Sequence, residues 1–168
     1  MDAPEITIRE ALPEERQDLG TEIAKPAWLD AFRHILPVEA MRAYFEGSLE
    51  VTCDYWSQRG ERLAGYVAEA DGKRVGLVNI GTYAGGDGEI RSLYVVPGWQ
   101  GKQVGKRLWE YAMAEFKTRG FKTVHVWTLA GAASCRFYET MGCQPMGTGS
   151  LLLGPHSTMC MHYQKELG

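Results

Sequence analysis

Residues 96–111 read VPGWQGKQVGKRLWEY, a run of glycine, glutamine and basic residues set between a Val/Tyr-rich segment and an amphipathic one. A turn that feeds a helix exposes four unpaired N–H groups and a partial positive charge, which suits a phosphate. The plainer reading is an ordinary strand-to-helix loop whose glycines only make the turn. Other residues of chemical interest lie around it. Glu89 is a carboxylate at a strand start, and Tyr138 a phenol within a short helix. His125 and Cys135 are a conceivable nucleophilic pair, and Cys160, His162 and His156 a conceivable metal cluster. The four cysteines show no CxxC spacing, so they read as small buried apolar groups, and no metal is expected.

The loop is neither of the two common phosphate motifs. GxxxxGK[ST] would need Ser or Thr at 107, where Arg107 stands. GxGxxG is absent, and the preceding strand does not open a βαβαβ half.

Composition bounds the class. With 168 residues, 45% hydrophobic and 23% charged, the chain reads as one globular domain over 1–168. No apolar run approaches a membrane span, and MDAPEITIRE lacks the regions of a leader, so a cytoplasmic protein is expected, with no membrane partner. Residues 1–60 hold twelve Asp/Glu against six Lys/Arg, while 96–122 hold six Lys/Arg against two Glu. One confined basic patch suits a small polyanion and not a nucleic-acid track. A homodimer is left open.

The elements that must position these residues follow from periodicity. ITIREA (6–11) predicts a strand. Residues 14–32 predict a helix that Pro26 kinks or splits, with Leu19, Ile23, Ala27 and Phe32 loosely on one face. Residues 38–47 predict a second helix closed by Gly47, and 49–59 a third. Residues 62–70 and 73–83 are strands joined at Asp71–Gly72, a hairpin signal. Residues 89–96 should pair with the strand before them. A helix from about Gln103 to Arg119 buries Leu108, Ala112 and Phe116. Then come a strand (122–129), a short helix (133–141) and two closing strands. The strand–helix–strand unit at 89–129 should place two parallel strands side by side. The fold class is a mixed α/β, mostly antiparallel sheet with one central parallel βαβ unit, flanked by helices.

Three segments taken together, EIRSLYVVP, QGKQVGKRL and RFYETMGC, resemble the GNAT-superfamily N-acetyltransferases. That family runs a strand ending L-Y-V-x-P into Q/R-x-x-G-x-G/A, matched by Leu93, Tyr94, Val95, Pro97, Gln100 and Gly105. Its later N-x-x-A-x-x-F-Y-E-x-x-G-F is matched by Phe137, Tyr138, Glu139 and Gly142. Two departures stand out. Gln103 replaces the first glycine of the loop, and Gly131 and Ser134 replace Asn and Ala of the later segment.

The resemblance implies an acetyl-CoA-dependent N-acetyltransferase. The amides of Gln100, Gly101, Lys102, Gln103, Val104, Gly105 and Lys106, with the side chains of Lys102 and Lys106, would take the pyrophosphate. Val95 would pair with the pantetheine arm like an added strand, with Tyr94, Ser134 and Phe137 also on the cofactor side. The N–H of Leu93 would face the thioester carbonyl, an effect worth roughly 3–4 kcal/mol for such donors. Tyr138 would be the general acid and Glu89 the base, with a solvated strand-start residue as the alternative for Glu89. The acceptor is expected between residues 25–60 and 149–157. There Trp28, Phe32, Tyr44, Phe45, Tyr55 and Trp56, with Glu39, Glu46, Glu50 and Asp54, suggest a wall for a small cationic amine. A non-catalytic acyl-CoA sensor, or acetylation of a protein N-terminus or lysine, remains as the alternative.

Overall fold

The computed structural model describes residues 4–168; the first three residues of the stretch read for a leader lie outside them. Eight strands form one sheet: β1 (Thr7–Glu10), β2 (Val51–Cys53), β3 (Arg59–Ala70), β4 (Lys73–Tyr83), β5 (Asp87–Val95), β6 (Thr123–Leu129), β7 (Gln144–Leu153) and β8 (His156–Glu166). Their order is β1-β3-β4-β5-β6-β8-β7-β2. Every neighbouring pair is antiparallel except β5 and β6, which are parallel. The Asp71–Gly72 hairpin forms as expected, both residues taking positive φ (51° and 71°), the geometry whose twist matches that of the strands.

Helix α4 (Val104–Thr118) crosses from β5 to β6 and lays Leu108, Ala112 and Phe116 on the sheet, all three fully buried. It sits so close that a Cβ on Gly88 would collide with the Phe116 ring, so Gly88 is set by packing. The short α5 (Ala133–Thr140) follows β6 and is closed by Gly142 at φ 89°.

The N-terminal helical stretch is α1 (Arg16–Leu19) and α2 (Lys25–Phe32), joined without a break by a wide π turn at Gly20–Ala24. Pro26 explains the wide turn. It has no N–H to give, and its ring crowds the carbonyl four residues earlier, so the ladder opens just before it. Leu19, Ile23, Ala27 and Phe32 are all buried, as their spacing predicts. Arg9 and Arg74 both pair with Glu15, and Arg74 also with Glu22, which fixes this stretch to the β1–β3–β4 side of the sheet.

Helix α3 (Val38–Phe45) ends before Gly47, at φ 78°. The third helix expected over 49–59 is instead β2, added outside β7, followed by a tight 3-10 turn at Asp54–Gln58. Local propensity loses there to an open sheet edge that accepts Val51–Cys53 as a strand.

One irregularity shapes everything that follows. The β4–β5 register passes from Ile80↔Ile90 to Asn79↔Ser92, so Arg91 is an extra residue in β5. A bulge bends and twists its strand. Parallel pairing of β5 with β6 covers only Gly88–Ile90 against Val124–Val126 and stops at the bulge. Beyond it the two strands diverge while β6 continues beside β8 to Leu129.

Candidate active site

The divergence of β5 and β6 opens a cleft of about 740 Å³, lined by β5 from Ile90 to Val95 and by β6 from Val126 to Leu129. Along β5 the direction of the main-chain groups follows from one bond. The Val96 N–H donates to the Val75 carbonyl at 2.9 Å, at the β4 edge. Alternation then turns the N–H and C=O of Leu93 and Val95 to the opposite edge, which β6 has left. This is an unpaired strand edge facing a cavity, able to accept an extended chain bearing amides. The Val95 carbonyl is meanwhile held by the Gln100 carboxamide at 3.2 Å, and the same side chain accepts from Gly98 N–H at 3.0 Å.

The loop that follows ends in a cradle. Gly98 and Gly101 take φ 92° and 76°, and Gln103, the residue where the family pattern has glycine, takes φ 71°. The substitution therefore keeps the left-handed backbone of glycine, at a cost of about 1–2 kcal/mol for a residue with a Cβ. Gln103 is also the N-cap of α4, and its side chain makes no capping bond. Successive amides of such a loop converge on one concavity at the positive end of a fifteen-residue helix. Gln100, Gly101, Gln103, Val104, Gly105 and Lys106 all line the cleft. Lys102 does not. Its ammonium lies 5.8 Å from the Trp99 ring centre. Lys106 is half-exposed, 3.9 Å from Glu110.

From the other wall, α5 brings Ser134, Phe137 and Tyr138 to the cleft. The Ser134 hydroxyl is hydrogen-bonded to Thr128 of β6. Phe137 sits 3.6 Å from where a Gly105 side chain would begin, so the loop and α5 close on each other there. Tyr138 is 5% exposed, and burial pushes its phenol above the usual tyrosine range, so it stays protonated throughout neutral pH. Tyr94 accepts a bond from the Trp28 indole at 3.0 Å and is pushed up to about 12 by burial.

The opposite end differs in character. Glu89 is fully buried behind Arg59 and Arg91 and does not itself line the cleft, which removes the reading as a solvated strand-start residue. Both its oxygens take the Nε–H of Arg59, at 2.9 and 3.2 Å, and Arg91 Nε lies 3.5 Å away. Burial raises the Glu89 carboxyl, and the two guanidiniums hold it back.

Of the expected acceptor wall, Trp28, Phe32, Tyr44, Tyr55 and Trp56 reach the cleft, but Phe45 and the acids Glu39, Glu46, Glu50 and Asp54 do not. Asp54 instead accepts from the Ser150 amide at 3.1 Å. Among the described residues the charged side chains lining the cleft are Arg59, Arg91 and Lys106. The wall is aromatic and basic, not acidic.

A polar chain lies behind it. His125 puts Nε2 2.7 Å from Asp87 and Nδ1 2.8 Å from His162 Nε2. A carboxylate only accepts, so Nε2 of His125 carries a proton and donates it to Asp87. Burial and His125 lower His162 to about 4, which keeps it neutral at pH 7. His162 stacks on Trp127 at 4.5 Å, and Trp127 on Tyr55 at 4.2 Å, both within 5° of parallel. Trp127 lies flat because Gly149 of β7 has no side chain; a Cβ there would be 2.8 Å from its ring. With both His125 nitrogens engaged and Cys135 bonded to the Leu129 carbonyl, the Cys135/His125 pair does not form. Cys160 is fully buried, its thiol pushed up to about 12. Among the described residues no group of three or more His, Cys, Asp or Glu could hold a metal ion.

Sequence reasoning missed Arg59, Arg91, Asp87, Trp127 and the role of His162. No local pattern marks them, because they meet only where a bulge parts two strands.

A parallel pair splayed at a bulge, a free strand edge and an anion cradle at a helix start define the class: acyltransferases that draw on acyl-CoA. The chain belongs to the acetyltransferase (GNAT) family, whose pattern matches residues 27–143. It is similar to YuaI of Bacillus subtilis (strain 168), an uncharacterized N-acetyltransferase, with 22% identity over 138 residues, 80% of this chain and 78% of YuaI. Its fold is similar to that of PaiA N-acetyltransferase from Thermoplasma acidophilum, solved with coenzyme A. The TM-score is 0.73 at 17% identity, covering 96% of this chain and 99% of that one. It is also similar to yncA from Salmonella typhimurium, solved with its cofactor acetyl-CoA. There the TM-score is 0.66 at 21% identity, covering 98% and 95%. Among the described residues no helix is long and apolar enough to cross a membrane.

Proposed function

We propose that the chain, acting as one domain, moves the acetyl group of acetyl-CoA to the primary amine of a small acceptor, by direct attack with both substrates bound. The observation that carries this is the cleft-facing edge of Leu93 and Val95 running directly into the cradle before α4.

The amides from Gln100 to Lys106 and the Lys106 ammonium bind the pyrophosphate. Val95 pairs with the pantetheine arm once Gln100 releases its carbonyl, and Ser134 and Phe137 border the same path. The Leu93 N–H is aimed at the thioester oxygen. In the reaction the amine nitrogen bonds to the acetyl carbon, the carbon–sulfur bond breaks, the amine loses one proton and the sulfur gains one. Tyr138, kept protonated by burial, donates to the sulfur. Glu89 is the proposed acceptor of the amine's proton, reached through water beside Arg59.

Calorimetric titration with acetyl-CoA tests the first half. Binding at one-to-one stoichiometry, weakened in Lys106→Glu, supports the cradle; thiol release with a panel of amines then tests transfer. A folded protein that binds no acetyl-CoA would leave the fold without this function.

A further inference from the structure

We propose that the acceptor is a small amine that also carries a carboxylate, of the amino-acid type with an apolar or aromatic side chain, and that Arg59 is the residue that binds its carboxylate. This rests on the acetyl-transfer reading above and adds the acceptor's chemical class.

Arg59 has what a carboxylate receptor needs. Its Nε–H is tied to Glu89, so the guanidinium plane is fixed. Among the described residues neither terminal nitrogen has a hydrogen-bond partner, and the residue lines the cleft. Two parallel N–H donors on a fixed plane match the two oxygens of a carboxylate.

The main chain next to it is fixed as well. Arg91 Nη2 donates to the carbonyls of Gly60 and Glu61, at 2.6 and 3.0 Å, the two residues after Arg59. Arg91 is the bulged residue, so the irregularity that opens the cleft also sets Arg59. The rings of Tyr55 and Trp56 lie 5.5 and 5.9 Å from the Arg59 guanidinium carbon and hold it by cation–π contact. A group fixed before binding loses little entropy when the ligand arrives.

Charge balance points the same way. Among the described residues Arg59 and Arg91 share the single carboxylate of Glu89 within ion-pair distance, while the nearby Asp87 and Asp54 are taken by His125 and the Ser150 amide. The CoA phosphates do not supply a second anion. Glu89 lies six residues from Val95, roughly 20 Å along an extended strand, and the cradle lies beyond that. The missing anion therefore comes with the acceptor. Trp28, Phe32 and Tyr44 leave room for apolar bulk beside it.

The test reads binding and turnover separately. With CoA-saturated protein, N-acetyl-L-phenylalanine and N-acetylphenethylamine, identical but for the carboxylate, are titrated by calorimetry. At least tenfold tighter binding of the carboxylate form is expected. Thiol release should likewise favour L-phenylalanine over phenethylamine by tenfold or more in kcat/KM. In the calorimetric comparison Arg59→Lys should reduce the preference and Arg59→Met/Glu89→Gln should abolish it. The double variant removes both members of the Arg59–Glu89 pair together, and Arg91 keeps its bonds to the carbonyls of Gly60, Glu61 and Thr82. Equal binding of the two ligands, binding of neither to CoA-loaded protein, or a preference that survives the double variant would overturn the assignment. Failure of acetyl-CoA itself to bind would strike the transfer reading first and be recognised as such.

Discussion

At the α4 end of the cleft the groups proposed to recognise the cofactor are main-chain groups of one continuous stretch, Leu93 to Lys106. At the other end the lining groups are side chains of Arg59, Arg91, Tyr55 and Trp127, drawn from three strands and a turn. In the proposed function the first end reads a group that every acyl-CoA carries, for which backbone donors suffice. The second must read one acceptor among many, which takes a particular set of side chains. On that proposal the chain keeps its common chemistry in local backbone geometry and its individual chemistry in tertiary contacts.

The largest effect expected comes from removing a single backbone donor. Leu93→Pro deletes the N–H turned to the cleft while sparing the β4 edge. The kcat should fall roughly 10²–10³-fold, with acetyl-CoA still bound. A variant that keeps kcat would show that the donor lies elsewhere. Next comes Tyr138→Phe, for which steady-state kinetics should show a loss of about 10²-fold in kcat. The KM for acetyl-CoA should hold, because the ring still packs. Unchanged kcat would make Tyr138 a core aromatic only.

Glu89→Gln keeps a hydrogen bond to Arg59 but cannot take a proton. A fall in kcat with loss of the acid limb of the pH profile would support Glu89 as base. An unchanged profile would limit it to holding Arg59. On the phosphate side, Lys106→Glu should weaken acetyl-CoA about tenfold, and Lys102→Glu clearly less, since Lys102 is drawn over Trp99. Equal losses would mean that the loop rearranges on binding.

The smallest effect concerns the wall behind the acceptor end. The folded-state pKa of His162 is lowered to about 4, against about 6.5 unfolded, so its contribution to stability is fully present above pH 6.5. It is lost as pH falls through 4. His162→Asn should therefore flatten the acid side of a plot of Tm against pH without changing it above pH 7. A steep acid loss in the variant would assign that lability to other groups.

What was legible and what was not divides along the same line. Gly105, Gln100 and the L-Y-V-x-P strand announce themselves, because the loop proposed to cradle phosphate is built from neighbouring residues. The Asp71–Gly72 turn and the buried face of α4 follow from residue type and period in the same way. The strand at 51–53 was hidden because its partner, β7, lies a hundred residues on. The acids of the N-terminal third were visible in composition, yet composition could not say that they face away from the cleft.

By itself the sequence determined the order of elements outside residues 49–59, the turn before α4 and the place of Tyr138 in a short helix, since each depends on residues within a turn or two of one another. Tertiary structure alone decided where β5 leaves β6, that Glu89 is buried under Arg59, and that Trp127 stacks between Tyr55 and His162. Those outcomes depend on the bulge at Arg91 and on glycines of neighbouring strands, contacts whose energy exists only once the sheet is assembled.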